Sequence, residues 1–291
     1  MNKKAILAGI AGNSIFGFSF LFSKIALQYV SPIVLLSIRF DIAFITLGIL
    51  VLCKIVKVHY QNKDIKRLLM LGLLQPIVYF LCENNGLQYV SSAISGVLIA
   101  IIPIVTFFTG FFFLHEKFEM KQLWWAVVSL IGVSTISIVG QNDGSVKLIG
   151  ILLLLGAVLS AAIYNTLSRQ ISNQFSPFER TFMMFFMGAL FFTGMAVFQT
   201  RGEWIGIASS ALEKKEFLFA VIYLGIVSSI LAFYCLNYSV SYLPVRQATS
   251  FAGLTPIITV VAGVLVLHES INWIQIAGIV MILLGVYKVN Q

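Results

Sequence analysis

Lys24, Arg39, Asp41 and Glu83 stand within or beside long apolar runs of this chain. A charged side chain in a bilayer is costly, so it faces a partner or a cavity. Gln75, Tyr79 and Glu83 recur every fourth residue and share one helical face. Asn13, Gly17, Phe20 and Lys24 share a second face; Tyr234, Asn237, Tyr238 and Ser241 share a third; Ser160 and Tyr164 share a fourth. These faces suit noncovalent recognition of a small zwitterion or an aromatic metabolite. A carboxylate would meet Lys or Arg, and an amine would meet Glu or the face of a ring. A competing structural reading has Glu83 neutralising Arg39 or Lys24 in a static pair, and the tyrosines serving as ordinary helix packing.

Covalent chemistry finds little support. His115-Glu116 and His268-Glu269 resemble half of a zinc motif, but Glu119 and Asn272 stand where the second His is required. No Gly-x-x-x-x-Gly-Lys phosphate loop occurs, and no Ser/His/Asp arrangement stands out. Cys53, Cys82 and Cys235 form no metal-spaced cluster. The expectation is a chain that is not an enzyme and carries no metal or other cofactor.

The elements that position these residues follow from composition. The chain is 59% hydrophobic and 10% charged, against about 25% charged in soluble domains. Ten runs are apolar enough to span a bilayer: 5–27, 33–52, 68–88, 92–114, 123–140, 148–167, 180–198, 217–239, 245–267 and 272–288. The first leads directly into the second with no cleavage site behind it, so it reads as a retained helix. Trp124, Trp125, Trp204 and Trp273 read as interface anchors. With the N-terminus inside, inner segments hold thirteen Lys and Arg and outer segments five. That asymmetry puts both termini in the cytoplasm. It also explains the net charge of +8 without a nucleic-acid partner.

Residues 71–133 recur as 224–286 at an offset of 153, with 19 identities. Pro103, Thr106, Gly110, His115 and Glu116 recur as Pro256, Thr259, Gly263, His268 and Glu269. A shorter match at an offset of 145 pairs Ser23-Lys24 and Ser31-Pro32 with Ser168-Arg169 and Ser176-Pro177. Five helices per half is an odd number, so the halves enter the membrane in opposite senses. The expected fold is an all-α membrane protein of ten transmembrane helices in two inverted five-helix repeats, 1–144 and 145–291. Pro103 and Pro256 are the expected kink or gating positions, and Glu116 and Glu269 are expected to cap helix ends. Buried charge concentrates in the first half, which points to substrate recognition or proton carriage there.

These repeated motifs, above all the two copies of Pro-Ile-x-Thr-x-x-x-Gly-x-x-x-Leu-His-Glu, resemble the EamA-type carriers of the drug/metabolite transporter superfamily. The resemblance covers essentially the whole chain. In that family each repeat has a helix with a central Pro and a terminal Glu. Phe16 stands where the family usually has Trp before Gly17, and it joins the substrate-binding candidates. The resemblance implies a carrier of the bacterial cytoplasmic membrane for small metabolites, often an exporter of amino acids. Alternating access would be driven by the solute gradient or a coupled proton, with lipid as the surrounding partner. The alternative is a flippase or transporter of a lipid-linked substrate.

Overall fold

The computed structural model describes residues 3–61, 63–114, 120–142, 146–243 and 251–289, and among these every regular element is helical. The first three apolar segments are α1 (Lys3–Ala26), α2 (Pro32–Leu52), and a third of α3 (Ile65–Gly72), a π segment (Leu73–Val78) and α4 (Tyr79–Gly86). Then come α5 (Ser92–Ile99) with α6 (Ile102–Leu114), α7 (Met120–Asn142), α8 (Leu148–Gln170) and α9 (Pro177–Gln199). A short α10 (Trp204–Leu212) precedes α11 (Lys215–Ile222), a second π segment (Tyr223–Ala232) and α12 (Phe233–Tyr242). The last two are α13 (Leu254–Val266), entered through a 3-10 turn at Phe251–Gly253, and α14 (Trp273–Val289).

Seven of these segments are long and apolar enough to cross a membrane; Leu123–Ile136, Phe251–Leu267 and Trp273–Lys288 are shorter apolar helices. They coincide with the runs read from sequence, except that the start of the run at 245–267 lies outside the described residues. Helix α10 falls in what the sequence reading leaves as a connection. Its nine residues are too few to register as a span. It is tied down by Trp204, whose Nε1 donates to Ser37 Oγ at 2.7 Å.

Polarity is arranged for an apolar surround. Leu7, Ile45, Leu190, Phe198 and Phe219 project outward, while Arg39, Arg180, Glu83 and Asn84 are buried. Burying polar groups and exposing aliphatic ones suits a bilayer, where unpaired polar groups have no water to turn to.

Local sequence explains the helix boundaries. Ser176 and Pro177 start α9, with a capping box in which Ser176 and Glu179 bond each other's backbone. The carboxylate of Glu179 also takes His59 N at 2.8 Å and Lys63 Nζ at 2.8 and 2.9 Å, which pins the α2–α3 connection to this helix start. The third segment breaks at Gln75 (φ −137°, ψ 108°). A residue before proline is driven out of the helical region, and Pro76 supplies no N–H. Ser160 Oγ donates to the Leu74 carbonyl at 2.7 Å beside this break.

Small residues let the helices approach closely. Helix α7 packs along α14, α2 along α9, α1 against α12 and α13, and α8 against α4, α5 and α6. At Gly96 an added Cβ would lie 2.6 Å from Thr259 Cβ. Thr259 cannot withdraw freely, because its Oγ1 donates to the Gly17 carbonyl at 2.8 Å. Gly96→Val is therefore expected to destabilise the fold by about 1–3 kcal/mol. A lower melting temperature of the purified protein checks this, and an unchanged one contradicts it.

Candidate functional site

The break at Gln75, the start of α6 and the inner faces of α1, α8 and α12 enclose a cavity of about 120 Å³. Pro103 lies at its wall, just after the α5–α6 interruption at Ala100 and Ile101. Phe16, Phe20, Tyr79 and Phe233 give the cavity aromatic walls; Asn13, Gln75, Asn165, Ser168, Asn237 and Thr255 give it neutral polar ones. An engineered cavity of about 150 Å³ holds benzene; this one is somewhat smaller, the size of a short branched solute.

The polar walls are fixed by hydrogen bonds. Tyr164 donates to Asn237 Oδ1 at 3.1 Å, and Asn237 Nδ2 donates to Thr181 Oγ1 at 3.0 Å. Thr255 Oγ1 donates to the Asn13 carbonyl at 2.9 Å, joining α13 to α1. Phe16 meets Phe233 edge-on with ring centroids 4.9 Å apart. These side chains are held before any solute arrives, which lowers the ordering required on binding.

Two charged groups stand behind the walls. Glu83, only 3% exposed, receives Tyr79 Oη at 3.3 Å and Asn84 Nδ2 at 3.1 Å. Its cationic neighbour Arg39 is spent elsewhere: Nε donates to Ser229 Oγ at 2.9 Å and Nη2 to Ser228 Oγ at 3.2 Å. The Arg39 guanidinium also sits 4.4 Å from the Phe80 ring centroid. Among the described residues, neither Glu83 nor Arg39 is in an ion pair within 4.0 Å. On another wall, Arg180 bonds Ser168 and Asn237, both of which line the cavity.

At the end of the bundle bearing Ser92, the two halves of the sequence meet through hydrogen bonds. The chain turns through His268, at φ 53°, after α13. Glu269 then accepts from Ser92 N at 2.8 Å, Ser92 Oγ at 2.9 Å and Ala93 N at 3.0 Å. It thus caps α5 from the opposite half of the sequence. Its counterpart Glu116, with His115, lies outside the described residues.

The EamA-like transporter family's sequence profile matches residues 3–138 and again 148–291. The chain belongs to the EamA-like transporter family. It is 34% identical over 288 residues to the uncharacterized transporter YcxC of Bacillus subtilis, covering 98% of this chain and 92% of that one. An uncharacterized transporter of Archaeoglobus fulgidus is 24% identical over 94% of both chains. The WAT1-related protein At2g39510 of Arabidopsis thaliana is 23% identical, over 97% of this chain and 81% of that one. A solved crystal structure superposes with a TM-score of 0.70 at 15% identity, covering 99% of this chain and 96% of that one, so the fold is shared. This member of the EamA-like family is a multi-pass, all-helical membrane transporter.

In this EamA-like transporter the cavity gathers Asn13, Phe16, Gln75, Tyr79, Tyr164, Asn237 and Pro103 from the sequence-read candidates. Five other candidates and Pro256 do not line it. Lys24 points to a helix end instead, donating to the carbonyls of Leu87 at 2.6 Å and Val90 at 2.9 Å. A cation near the C-terminus of α4 satisfies orphan carbonyls and complements the helix dipole. Arg39 and Glu83 lie behind the walls. Tyr234 and Tyr238 form an aromatic row with Tyr242 along α12 that does not line the cavity, and Tyr234 is 40% exposed. Pro256 sits in the first turn of α13, where no intrahelical bond is lost.

Buried charge is also less one-sided than the sequence suggests. Arg180, counted there with the inner rim, is fully buried. Its position four residues past Ser176 already puts it inside the helix that Ser176-Pro177 begins. Asn165, Ser168 and Thr255 are further lining residues that the face analysis passes over. Asn165 and Ser168 flank and follow Tyr164 at helical spacing, the available signal for them.

Proposed function

We propose that this EamA-like transporter is a secondary carrier for small zwitterionic metabolites of the amino-acid type, most simply an exporter. It works by alternating access in a ten-helix inverted repeat, in the bacterial cytoplasmic membrane with both termini inside. The observation that carries the reading is a preformed cavity with aromatic and amide walls, backed by Glu83 on one side and Arg180 on another. Opposite charges on separate walls match the two ends of a zwitterion.

The inverted repeat draws support from paired contacts. Lys24 donates to Leu87 O and Arg169 Nη1 donates to Val240 O. The cations differ by the early sequence offset of 145 and the carbonyls by the later one of 153. Likewise α2 meets α9 and α7 meets α14, each a helix against its own counterpart. Repeats related this way place a solute site at their interface and expose it alternately. Glu269 on Ser92 and Ala93, with Thr259 against Gly96, is the seal at one end.

Uptake of labelled neutral amino acids into proteoliposomes, with and without a pH gradient, tests the reading. Saturable uptake is expected; no uptake of any amino acid contradicts it. Glu83 is the carboxylic acid placed to carry a coupled proton, since it touches the lining residue Tyr79 and no cation pairs with it. Glu83→Gln is expected to remove the stimulation by a pH gradient while saturable exchange persists. Stimulation equal to wild type would contradict proton carriage by Glu83.

A further inference from the structure

Arg180 is a fully buried cation with a surplus of positive charge around it. Its Nη1 donates to Ser168 O at 3.1 Å and Ser168 Oγ at 2.6 Å; its Nη2 donates to Asn237 O at 3.2 Å and to Ser241 Oγ. Its Nε has no hydrogen-bond partner. A second guanidinium, Arg169, donates to Val240 O at 2.9 Å close by. The adjoining carboxylate, Glu179, is already engaged by Lys63, His59 N and Ser176 N. Among the described residues, no carboxylate lines the cavity itself. A buried charge without a counter-charge is strongly unfavourable unless something supplies one. Neutral acceptors hold the guanidinium in position but do not neutralise it.

We propose that Arg180, acting through Ser168 and Asn237, makes this wall the seat of the solute's anionic group, so that carboxylate-bearing solutes are preferred. The inference rests on reading the cavity as the solute site. It deepens that reading by assigning one residue to one end of the solute. Arg180 is thus a positioning residue: the solute touches Ser168 and Asn237, and the charge behind them sets which solute stays. This differs from the sequence reading, in which Lys24 or Arg39 takes the carboxylate. Lys24 caps a helix end and Arg39 is held by Ser228 and Ser229.

The test uses three probes that share one branched apolar group. Valine carries both charges, 3-methylbutanoate only the carboxylate, and isobutylamine only the ammonium. Binding stabilises the detergent-purified chain by RT ln(1 + L/Kd), where L is the free probe concentration, so its melting temperature at a fixed probe concentration ranks the affinities. Wild type is expected to bind the two carboxylates about tenfold or more tighter than the amine. Arg180→Lys retains the preference and Arg180→Met loses it. Ser168→Asp places a fixed counter-charge against Arg180 and keeps the guanidinium bonded, so it remains informative if Arg180→Met fails to fold. It is expected to reverse the preference toward isobutylamine. Wild-type preference preserved in Ser168→Asp or Arg180→Met overturns the assignment. Equal binding of all three probes by wild type also overturns it while leaving the cavity as the solute site. Binding of none of the three overturns both.

Discussion

Glu269→Ala is expected to lower the stability of the purified protein by about 3–5 kcal/mol. The carboxylate accepts three hydrogen bonds, from Ser92 N, Ser92 Oγ and Ala93 N. Bonds to a charged acceptor contribute about 1.5–3 kcal/mol each, and bonds to one group do not add fully. The loss also strips the first turn of α5 of a carboxylate that satisfies its orphan N–H groups and favours its dipole. Thermal melting should show a drop of roughly 5–10 °C. Glu269→Gln should fall between wild type and Glu269→Ala, because one carbonyl oxygen remains while its amide faces an N–H donor. The functional consequence is specific. This contact joins distant parts of the chain at the sealed end, so breaking it should raise the population open at that end. Melting and transport both equal to wild type would remove Glu269 from the seal.

Asn237→Leu is expected to reduce transport by at least about tenfold and stability by about 1–3 kcal/mol. Two buried hydroxyls, Tyr164 Oη and Thr181 Oγ1, each lose a hydrogen bond to Asn237 and keep Met184 Sδ and the Pro177 carbonyl, respectively, as partners; each bond lost costs about 0.5–1.5 kcal/mol. Leucine has the same branched skeleton of side-chain heavy atoms with bulkier methyl groups, so the change removes the polarity and adds some volume. The Asn237 carbonyl still accepts from Arg180 whatever the side chain. Asn237→Asp keeps the acceptor for Tyr164 and should therefore melt closer to wild type than Asn237→Leu. Initial uptake rates paired with melting temperatures check both variants. Full transport by Asn237→Leu would exclude this wall from the solute path.

Helix positions were legible in the sequence because hydropathy and Ser-Pro starts act locally. The run at 33–52 falls on Pro32–Leu52, and Ser176-Pro177 marks the start of α9 with its capping box. Helical faces were legible only where the helix is regular. Gln75, Tyr79 and Glu83 share a face on an unbroken wheel, yet Gln75 and Tyr79 line the cavity and Glu83 does not. Glu83 stays on the face of Tyr79, to which it is bonded, but lies one helical turn farther along α4, behind the wall, while Pro76 forces Gln75 out of helical geometry. On α12 the polar and aromatic residues were visible, but not which side faces inward. Asn237 is held at the cavity wall by its bonds with Tyr164 and Thr181, whereas the tyrosine row along the same helix does not line it. Lys24 was read as a solute ligand because charge near a span signals a site or a partner. Its partners are backbone carbonyls, which no side-chain pattern reveals. Glu269 was read correctly as a cap, although its target, some 177 residues away, emerges only from the fold.

The central claim is that the cavity is the solute site and is exposed to one side of the membrane at a time. The most direct measurement replaces Cys53, Cys82 and Cys235 by serine and adds a single cysteine at Ala100, a lining position. Right-side-out and inverted vesicles are then labelled with a small membrane-impermeant thiol reagent, with and without saturating solute. The account predicts labelling that solute slows from either side. It also predicts that Glu269→Ala speeds labelling from the side bearing Ser92 and slows it from the other. Labelling that is indifferent to solute, or that Glu269→Ala raises equally from both sides, would contradict the account.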